Sequence, residues 1–353
     1  MTKYVKKHLL ESSSVLSIIT TGSGSDFINK ILLIPGASKF LNFVHIPYGY
    51  EAIRELNPFM DYKYCSFKAS NYYCSFGYLE NQKTLFKNSI KNNISIGVSS
   101  SIKSNYIKKG AFQSYISIKF NNKLYNKKIL FSKKLTRKKM DKICSKNIFI
   151  FLTKIIKKEA KPKKALEINK SQNSFYDLNF NLSHLNKLDK EKYILFPGSF
   201  NPLHFGHFEI IKFIEKYFKK EVILEISNTN VDKETVDQDL MLKRINSLLG
   251  FKKLLISTDC KLLFEKAQRY ELDIVIGADT LKRLFMLKYY NNKNDLQKGL
   301  DNCKKLGLKF IVFDRNLELD SFKIPKKYEE LFHILNFNFD NKISSTMIRK
   351  IYN

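Results

Sequence analysis

The stretch from Ile194 to Phe218 limits what this chain can fold into more than any other. A short apolar run, Ile194-Leu195-Phe196, ends in the turn Pro197-Gly198, and two histidines, His204 and His207, follow with Gly206 between them. Directly behind them Ile210, Ile211, Ile214, Tyr217 and Phe218 recur at helical spacing. The order is strand, glycine-containing loop, helix, with paired imidazoles at the helix entrance. The first turn of a helix presents N–H groups without intrahelical partners and a partial positive charge, so such an entrance suits an anion. Gly206 lets the backbone come close to a phosphate, while Pro197 and Pro202 stiffen the loop. A lone histidine is more often a packing or surface residue. Two at a strand-to-helix turn point to phosphate chemistry.

The residues that follow repeat the pattern. Strands are expected at 221–226, 253–257, 273–276 and 308–313, and helices at 239–249, 262–270 and 280–289, with a polar loop at 291–295. A last helix is expected from 344 or 345 to 352. This is the alternation of a doubly wound parallel sheet, whose ligands bind beyond the carboxyl ends of the strands. The earlier chain alternates as well, with strands expected at 15–21, 43–48, 94–98 and 114–120 and helices at 27–33 and 135–156. The expected class is therefore α/β in two domains, 1–165 and 191–353. A linker rich in Asn, Ser, Lys and Asp joins them at 166–190. A length of 353 residues favours two domains on its own.

Composition decides among broad settings. The formal net charge of +29 invites polyanion binding. Lysine is abundant along the whole chain, however, and no zinc-finger, RNP-type or helix-turn-helix signature accompanies it. A solvated basic face is expected rather than a nucleic-acid surface. No apolar run approaches the roughly 20 residues that span a bilayer, and no secretory segment follows the basic start. The five cysteines (Cys65, Cys74, Cys144, Cys260, Cys303) are scattered and never spaced as CxxC. That usage fits a reducing, cytoplasmic setting without a structural zinc site.

Two further clusters carry candidate chemistry. In Ile343-Ser344-Ser345-Thr346-Met347-Ile348-Arg349 a helix cap accounts for one hydroxyl, but three hydroxyls and a guanidinium also make a second anion site. Gly277-Ala278-Asp279 follows a buried strand and serves either as a turn and helix cap or as an acidic group placed for a ribose hydroxyl.

Gly198-Ser199-Phe200-Asn201-Pro202-Leu203-His204-Phe205-Gly206-His207 resembles the first signature of the HxGH nucleotidyltransferase superfamily, and residues 343–349 resemble its second, ISSTxIR. The likeness covers nearly all of 191–353. Gly-Ser-Phe-Asn-Pro, and Gly-Ala-Asp-Thr at 277–280, look most like nicotinamide or nicotinate mononucleotide adenylyltransferases. The resemblance implies a Rossmann-like sheet on which the phosphate of a mononucleotide attacks the α-phosphorus of ATP and pyrophosphate leaves. It implies that His204, His207 and Arg349 act on the transferring phosphates. Gly198, Ser199, Phe200, Gly206, Gly277, Asp279, Ser344, Ser345 and Thr346 would bind the nucleoside triphosphate, and Asn230, Lys233 and Arg315 the acceptor. Mg²⁺ would arrive with ATP, held mainly through phosphates, with no metal site built by the protein.

Residues 1–165 resemble the C-terminal domain family of the competence/damage-inducible CinA proteins. The features that carry this are the Ser/Thr/Gly turn from Thr20 to Ser25, Pro35-Gly36-Ala37-Ser38, Pro47-Tyr48, Gly97-Val98-Ser99-Ser100 and Lys108-Lys109-Gly110. Some members of that family deamidate nicotinamide mononucleotide with a serine in a Glu-Ser-Cys-Thr-Gly-Gly-like turn. Here the turn reads Thr-Thr-Gly-Ser-Gly-Ser and shows no base to activate Ser23. A non-catalytic relative is expected, with Ser23 structural or ligand-cradling. Two rivals to the adenylyltransferase reading stay open: adenylyl or cytidylyl transfer to another phosphorylated acceptor such as phosphopantetheine, and a non-enzymatic nucleotide- or RNA-binding scaffold.

Overall fold

The computed structural model describes residues 3–60, 63–85, 90–164, 174–176, 182–183, 188–227, 238–257, 260–314, 319, 322–336 and 345. They fall into two compact units, one within Met1–Ala165 plus Ile245–Phe251 and the other within Leu166–Arg244 plus Lys252–Met347.

The first unit runs α1 (Lys3–Glu11), β1 (Ser14–Thr21), α2 (Ser25–Leu32), β2 (Leu41–His45), α3 (Tyr50–Leu56), α4 (Phe67–Leu85), β3 (Asn92–Ser101), β4 (Gln113–Phe120), β5 (Lys123–Leu130) and α5 (Arg137–Ile156). Its sheet is mixed, in the order β2-β1-β3-β4-β5, with β2, β1 and β3 parallel and β3, β4 and β5 antiparallel. Strand periodicity sorts its two faces. Leu16, Ile18, Ile94, Ile96, Ile116 and Ile118 form an apolar core with Phe27, Ile31, Met140, Ile148 and Leu152 of α2 and α5.

The opposite face is polar and lies under α4. The Ser17 hydroxyl donates to that of Ser95 at 2.9 Å, Ser117 donates to Asn71 Oδ1 at 2.7 Å, and Asn81 Nδ2 donates to Asn93 Oδ1 at 2.9 Å. Burying these groups is tolerable because they satisfy one another. Gly77 and Gly97 let α4 lie directly on the sheet. A Cβ at Gly77 would overlap the Ser17 and Ser95 hydroxyls, and one at Gly97 the Ser70 carbonyl.

Lys119 sits on that face too, with Nζ donating to the Ser247 carbonyl at 2.9 Å and lying 5.0 Å from the centre of the Tyr78 ring. Burial pushes its ammonium from the ordinary 10.5 down to about 8. The unfolded chain keeps this proton to higher pH than the folded one, so across that window unfolding takes up a proton and stability rises with pH. The urea midpoint of the protein should climb from pH 8 to 10.5 relative to that of Lys119→Met, which lacks the titrating group. Superimposable pH profiles for the two proteins would contradict the assignment.

The second unit runs β6 (Ser174–Tyr176), β7 (Leu182–Ser183), β8 (Tyr193–Pro197), α6 (Phe205–Phe218), β9 (Glu221–Ser227), α7 (Gln238–Leu248), β10 (Leu254–Ser257), α8 (Leu263–Tyr270), β11 (Ile274–Gly277), α9 (Ala278–Leu284), α10 (Lys293–Lys305), β12 (Phe310–Asp314) and β13 (Phe332–Asn336). The last residues of α7, from Ile245, group with the first unit. The sheet order is β13-β12-β11-β8-β9-β10-β6-β7, parallel from β13 to β10 and antiparallel at β6 and β7. Numbered by chain position, the parallel strands read 3-2-1-4-5-6 from β10 to β13, the doubly wound order, with its switch point between β8 and β11. The α/β class and the doubly wound C-terminal sheet are those expected from the sequence.

Several elements differ from that expectation. The stretch 166–190, read as a linker, contributes β6 and β7 to the sheet edge. Strands of three and two residues are too short to show a period. The helix expected at 280–289 stops at Leu284, before a single 3₁₀ turn at Leu287–Tyr289. The loop expected at 291–295 opens α10, capped by the Asn292 side chain, which accepts from the Asp295 N–H at 3.0 Å.

One anchor matters for the site. Glu215, buried on α6, accepts from the Val222 N–H at 3.0 Å and from Lys252 Nζ at 2.5 Å. Burial pushes its carboxyl above the usual range, with the Lys252 ammonium offsetting part of that cost. The contact fixes the far half of α6 to β9, and so the direction in which the helix presents its entrance. None of the five cysteines forms a disulfide. Among the described residues no helix is long and apolar enough to cross a membrane.

Candidate active site

The turn between β8 and α6 lies at the sheet's switch point. Leu195 of β8 pairs with Ile274 of β11. Three residues further along each strand come Gly198 and Gly277, so both turns start at the same level of the sheet. Gly198 N–H donates to the Glu225 carbonyl at 2.9 Å, tying the turn to the neighbouring β9. A Cβ there would lie 2.8 Å from Phe200 Cζ, so a larger residue would push the Phe200 ring aside. Phe200, with φ 39°, turns its buried ring inward, edge-on to Phe196 at 5.5 Å and to His207 at 5.1 Å. Ser199 stays exposed beside it.

His204 is the extended residue that opens α6, and its carbonyl accepts from the His207 N–H at 2.9 Å. In return the His204 N–H donates to His207 Nδ1 at 3.2 Å. That bond decides the tautomer. With Nδ1 accepting, the neutral His207 ring carries its proton on Nε2, which becomes a donor. The His204 and His207 rings are 3.7 Å apart between centroids. Gly206, between them, is buried at the second position of α6. The site thus holds two imidazoles, one with a fixed donor, at a helix entrance with its partial positive charge.

Gly277 caps α9, and Asp279 in its first turn is exposed, with Oδ2 receiving Arg283 Nη2 at 3.1 Å. Ser345 comes to the histidine turn from the second candidate motif, its hydroxyl donating to the Pro202 carbonyl at 3.0 Å. Ser344, Thr346 and Arg349 lie outside the described residues, as do Asn230, Lys233 and Arg315. Among the described residues no group of three or more His, Cys, Asp or Glu could hold a metal ion.

In the first unit two clefts of about 740 and 710 Å³ adjoin the 20–25 turn and share Tyr48 and Arg137. The Ser23 hydroxyl donates to that of Ser100 at 2.6 Å and lies 3.2 Å from that of Ser114. The entrance of α2 is already filled. Asp141 Oδ1 accepts from Gly24 N–H at 2.7 Å and Ser25 N–H at 3.0 Å, and its Oδ2 accepts from the Ser25 hydroxyl at 2.8 Å and Asp26 N–H at 3.2 Å. One helical turn on, the Ser145 hydroxyl takes Phe27 N–H at 3.0 Å. Nothing in the sequence marks Asp141, because its partners lie more than a hundred residues away. Phe196, which packs against the Phe200 and His207 rings, carried a weak signal as the last large residue of its strand.

Residues 195–351 match the family model described as cytidylyltransferase-like. No curated protein matches the chain. Solved structures similar to it include two competence-damaged protein (CinA) superfamily proteins and, from Klebsiella pneumoniae, a competence damage-inducible protein A (ComA). One from Escherichia coli is 10% identical, over 39% of this chain and 78% of its own, with a TM-score of 0.31. One from Klebsiella pneumoniae is 12% identical, over 42% and 91%, with a TM-score of 0.32. One from Enterobacter cloacae is 12% identical, over 44% and 89%, with a TM-score of 0.34.

Proposed function

We propose that the second unit transfers the adenylyl group of ATP to nicotinamide or nicotinate mononucleotide with release of pyrophosphate. The cytidylyltransferase-like region supports nucleotidyl transfer in general and nucleotide substrates with it. The observation that carries the reading is the His204–His207 pair at the entrance of α6, set at the switch point with the Nε2 donor of His207 fixed. In the reaction an acceptor phosphate oxygen forms a bond to the α-phosphorus, the bond to the bridging oxygen breaks, and that oxygen leaves with pyrophosphate. No protein nucleophile is needed. The work of the protein is alignment of the two phosphates and stabilisation of charge on the transferring group. His207 would donate from Nε2 to those oxygens. Ser344, Thr346 and Arg349 would meet the triphosphate from the chain's second motif, Asp279 the nucleoside, and Asn230, Lys233 and Arg315 the acceptor.

Mg²⁺ would arrive with ATP and take its ligands mainly from phosphate and water. When bound, it neutralises charge on the phosphates. The first unit would serve without catalysis, its Ser23 bound to hydroxyls and its α2 entrance closed by Asp141.

The test is pyrophosphate release from ATP or CTP, each offered nicotinamide mononucleotide, nicotinate mononucleotide, phosphopantetheine or phosphocholine. Release from ATP with either pyridine mononucleotide is the expected result. Release only from CTP, or only with another acceptor, keeps the chemistry and replaces the substrate. No release with any pair, together with tight RNA binding at physiological salt, would favour the scaffold.

A further inference from the structure

Ser345 and Pro202 stand 143 positions apart in sequence, yet the serine hydroxyl donates to the proline carbonyl at 3.0 Å. A serine hydroxyl has one proton to give. Phosphate oxygens are acceptors, so while Ser345 holds Pro202 it has no proton for a triphosphate. What the bond does hold is the histidine turn. Pro202 is buried two residues ahead of His204, the residue that opens α6. The turn's other end is tied by Gly198 N–H to the Glu225 carbonyl at 2.9 Å, and its middle by the buried Phe200 ring against Phe196 and His207. The stretch directly before His204 is the part that Ser345 fastens.

We propose that Ser345 is a positioning residue, seating His204 and His207 through Pro202, and not the phosphate contact that its place in the second motif implies. The proposal rests on the nucleotidyl-transfer reading above. It separates Ser345 from its neighbours in that motif, and it makes the two motifs one mechanical unit before any nucleotide arrives.

The experiment uses the full chain with Ser345→Ala and Ser345→Thr, and two readouts. The first is the kinetics of pyrophosphate release with ATP varied. The second is amide hydrogen exchange over residues 198–208 without nucleotide. Loss of one hydrogen bond that seats the reacting groups should lower kcat about 5- to 10-fold in Ser345→Ala. The KM for ATP should stay unchanged, exchange before and within the start of α6 should speed up, and Ser345→Thr should restore both. A raised KM for ATP with unchanged kcat and unchanged exchange would overturn the proposal in favour of phosphate binding.

If the unaltered protein releases no pyrophosphate with any acceptor, the nucleotidyl-transfer reading fails, and the exchange readout still decides. Faster exchange in the alanine variant, reversed by threonine, supports the tether, whereas equal exchange overturns it. Should Ser345→Ala not fold, Ser345→Val against Ser345→Thr gives the same comparison, because the two differ in the hydroxyl and hardly in shape.

Discussion

Replacing His207 with alanine should lower kcat for pyrophosphate release about 100- to 1000-fold, the scale of losing one preorganised donor to developing charge. The ring does two things, and the variant removes both. Its Nε2 is the fixed donor, while its Nδ1 accepts the His204 N–H at 3.2 Å at the entrance of α6. His207→Asn separates them. The asparagine Oδ1 stands near the place of Nδ1 and can keep the His204 N–H satisfied, but nothing replaces Nε2–H. Stopped-time pyrophosphate assays on both purified variants should give losses of similar size, with His207→Asn melting closer to the parent protein. Near-full turnover by His207→Ala would remove the residue from the chemistry. A large loss in alanine but not in asparagine would reassign it to capping the helix.

Asp141→Ala should destabilise the first unit by about 2–3 kcal/mol. One carboxylate there takes three backbone N–H groups and one hydroxyl, at 2.7 to 3.2 Å, at the start of α2. Part of this cluster is exposed, and solvent replaces some of what is lost, so the figure is well below four charged hydrogen bonds added together. Asp141→Asn keeps one accepting oxygen and should fall between the two. Urea unfolding of the full chain, followed by amide exchange at residues 24–27, reads the effect where it arises. A change below about 0.5 kcal/mol, the usual range of a neutral surface substitution, would show that water caps α2 as well as Asp141 does.

The parts of the fold that were legible in the sequence are those whose burial is apolar. β1, β3, β4 and α5 place Leu, Ile and Val at strand or helix spacing toward one core, and their expected positions agree with the structure to within a few residues. α4 was invisible for the opposite reason. It is nineteen residues long, and the side chains it buries include Ser70, Asn71, Ser75, Asn81 and Gln82, which a hydropathy pattern assigns to solvent. Asn81 pairs with Asn93 on β3, and Ser70 and Asn71 pair with Ser117 on β4, more than forty residues on. Such a polar interface is stable through mutual satisfaction, and satisfaction has no period to read. At the candidate site the histidine turn was legible because strand, glycine, imidazoles and helix are contiguous. The Asp141 cap, the Ser345 tether and the Lys119 bond are each made between residues distant in sequence.

Those distances have a consequence in time. At ordinary rates of synthesis, about 5–20 residues per second, the 143 positions from Pro202 to Ser345 take the ribosome about 7–30 s. The histidine turn therefore emerges well before the residue that clasps it. The described strands of the second sheet are complete by Asn336, ahead of Ser345. A product broken off between those two points would contain every one of those described strands but lack the clasp on its histidines. Its presence in the soluble fraction would say little about its competence, and turnover would be the measure of a chain made to the end of its second motif.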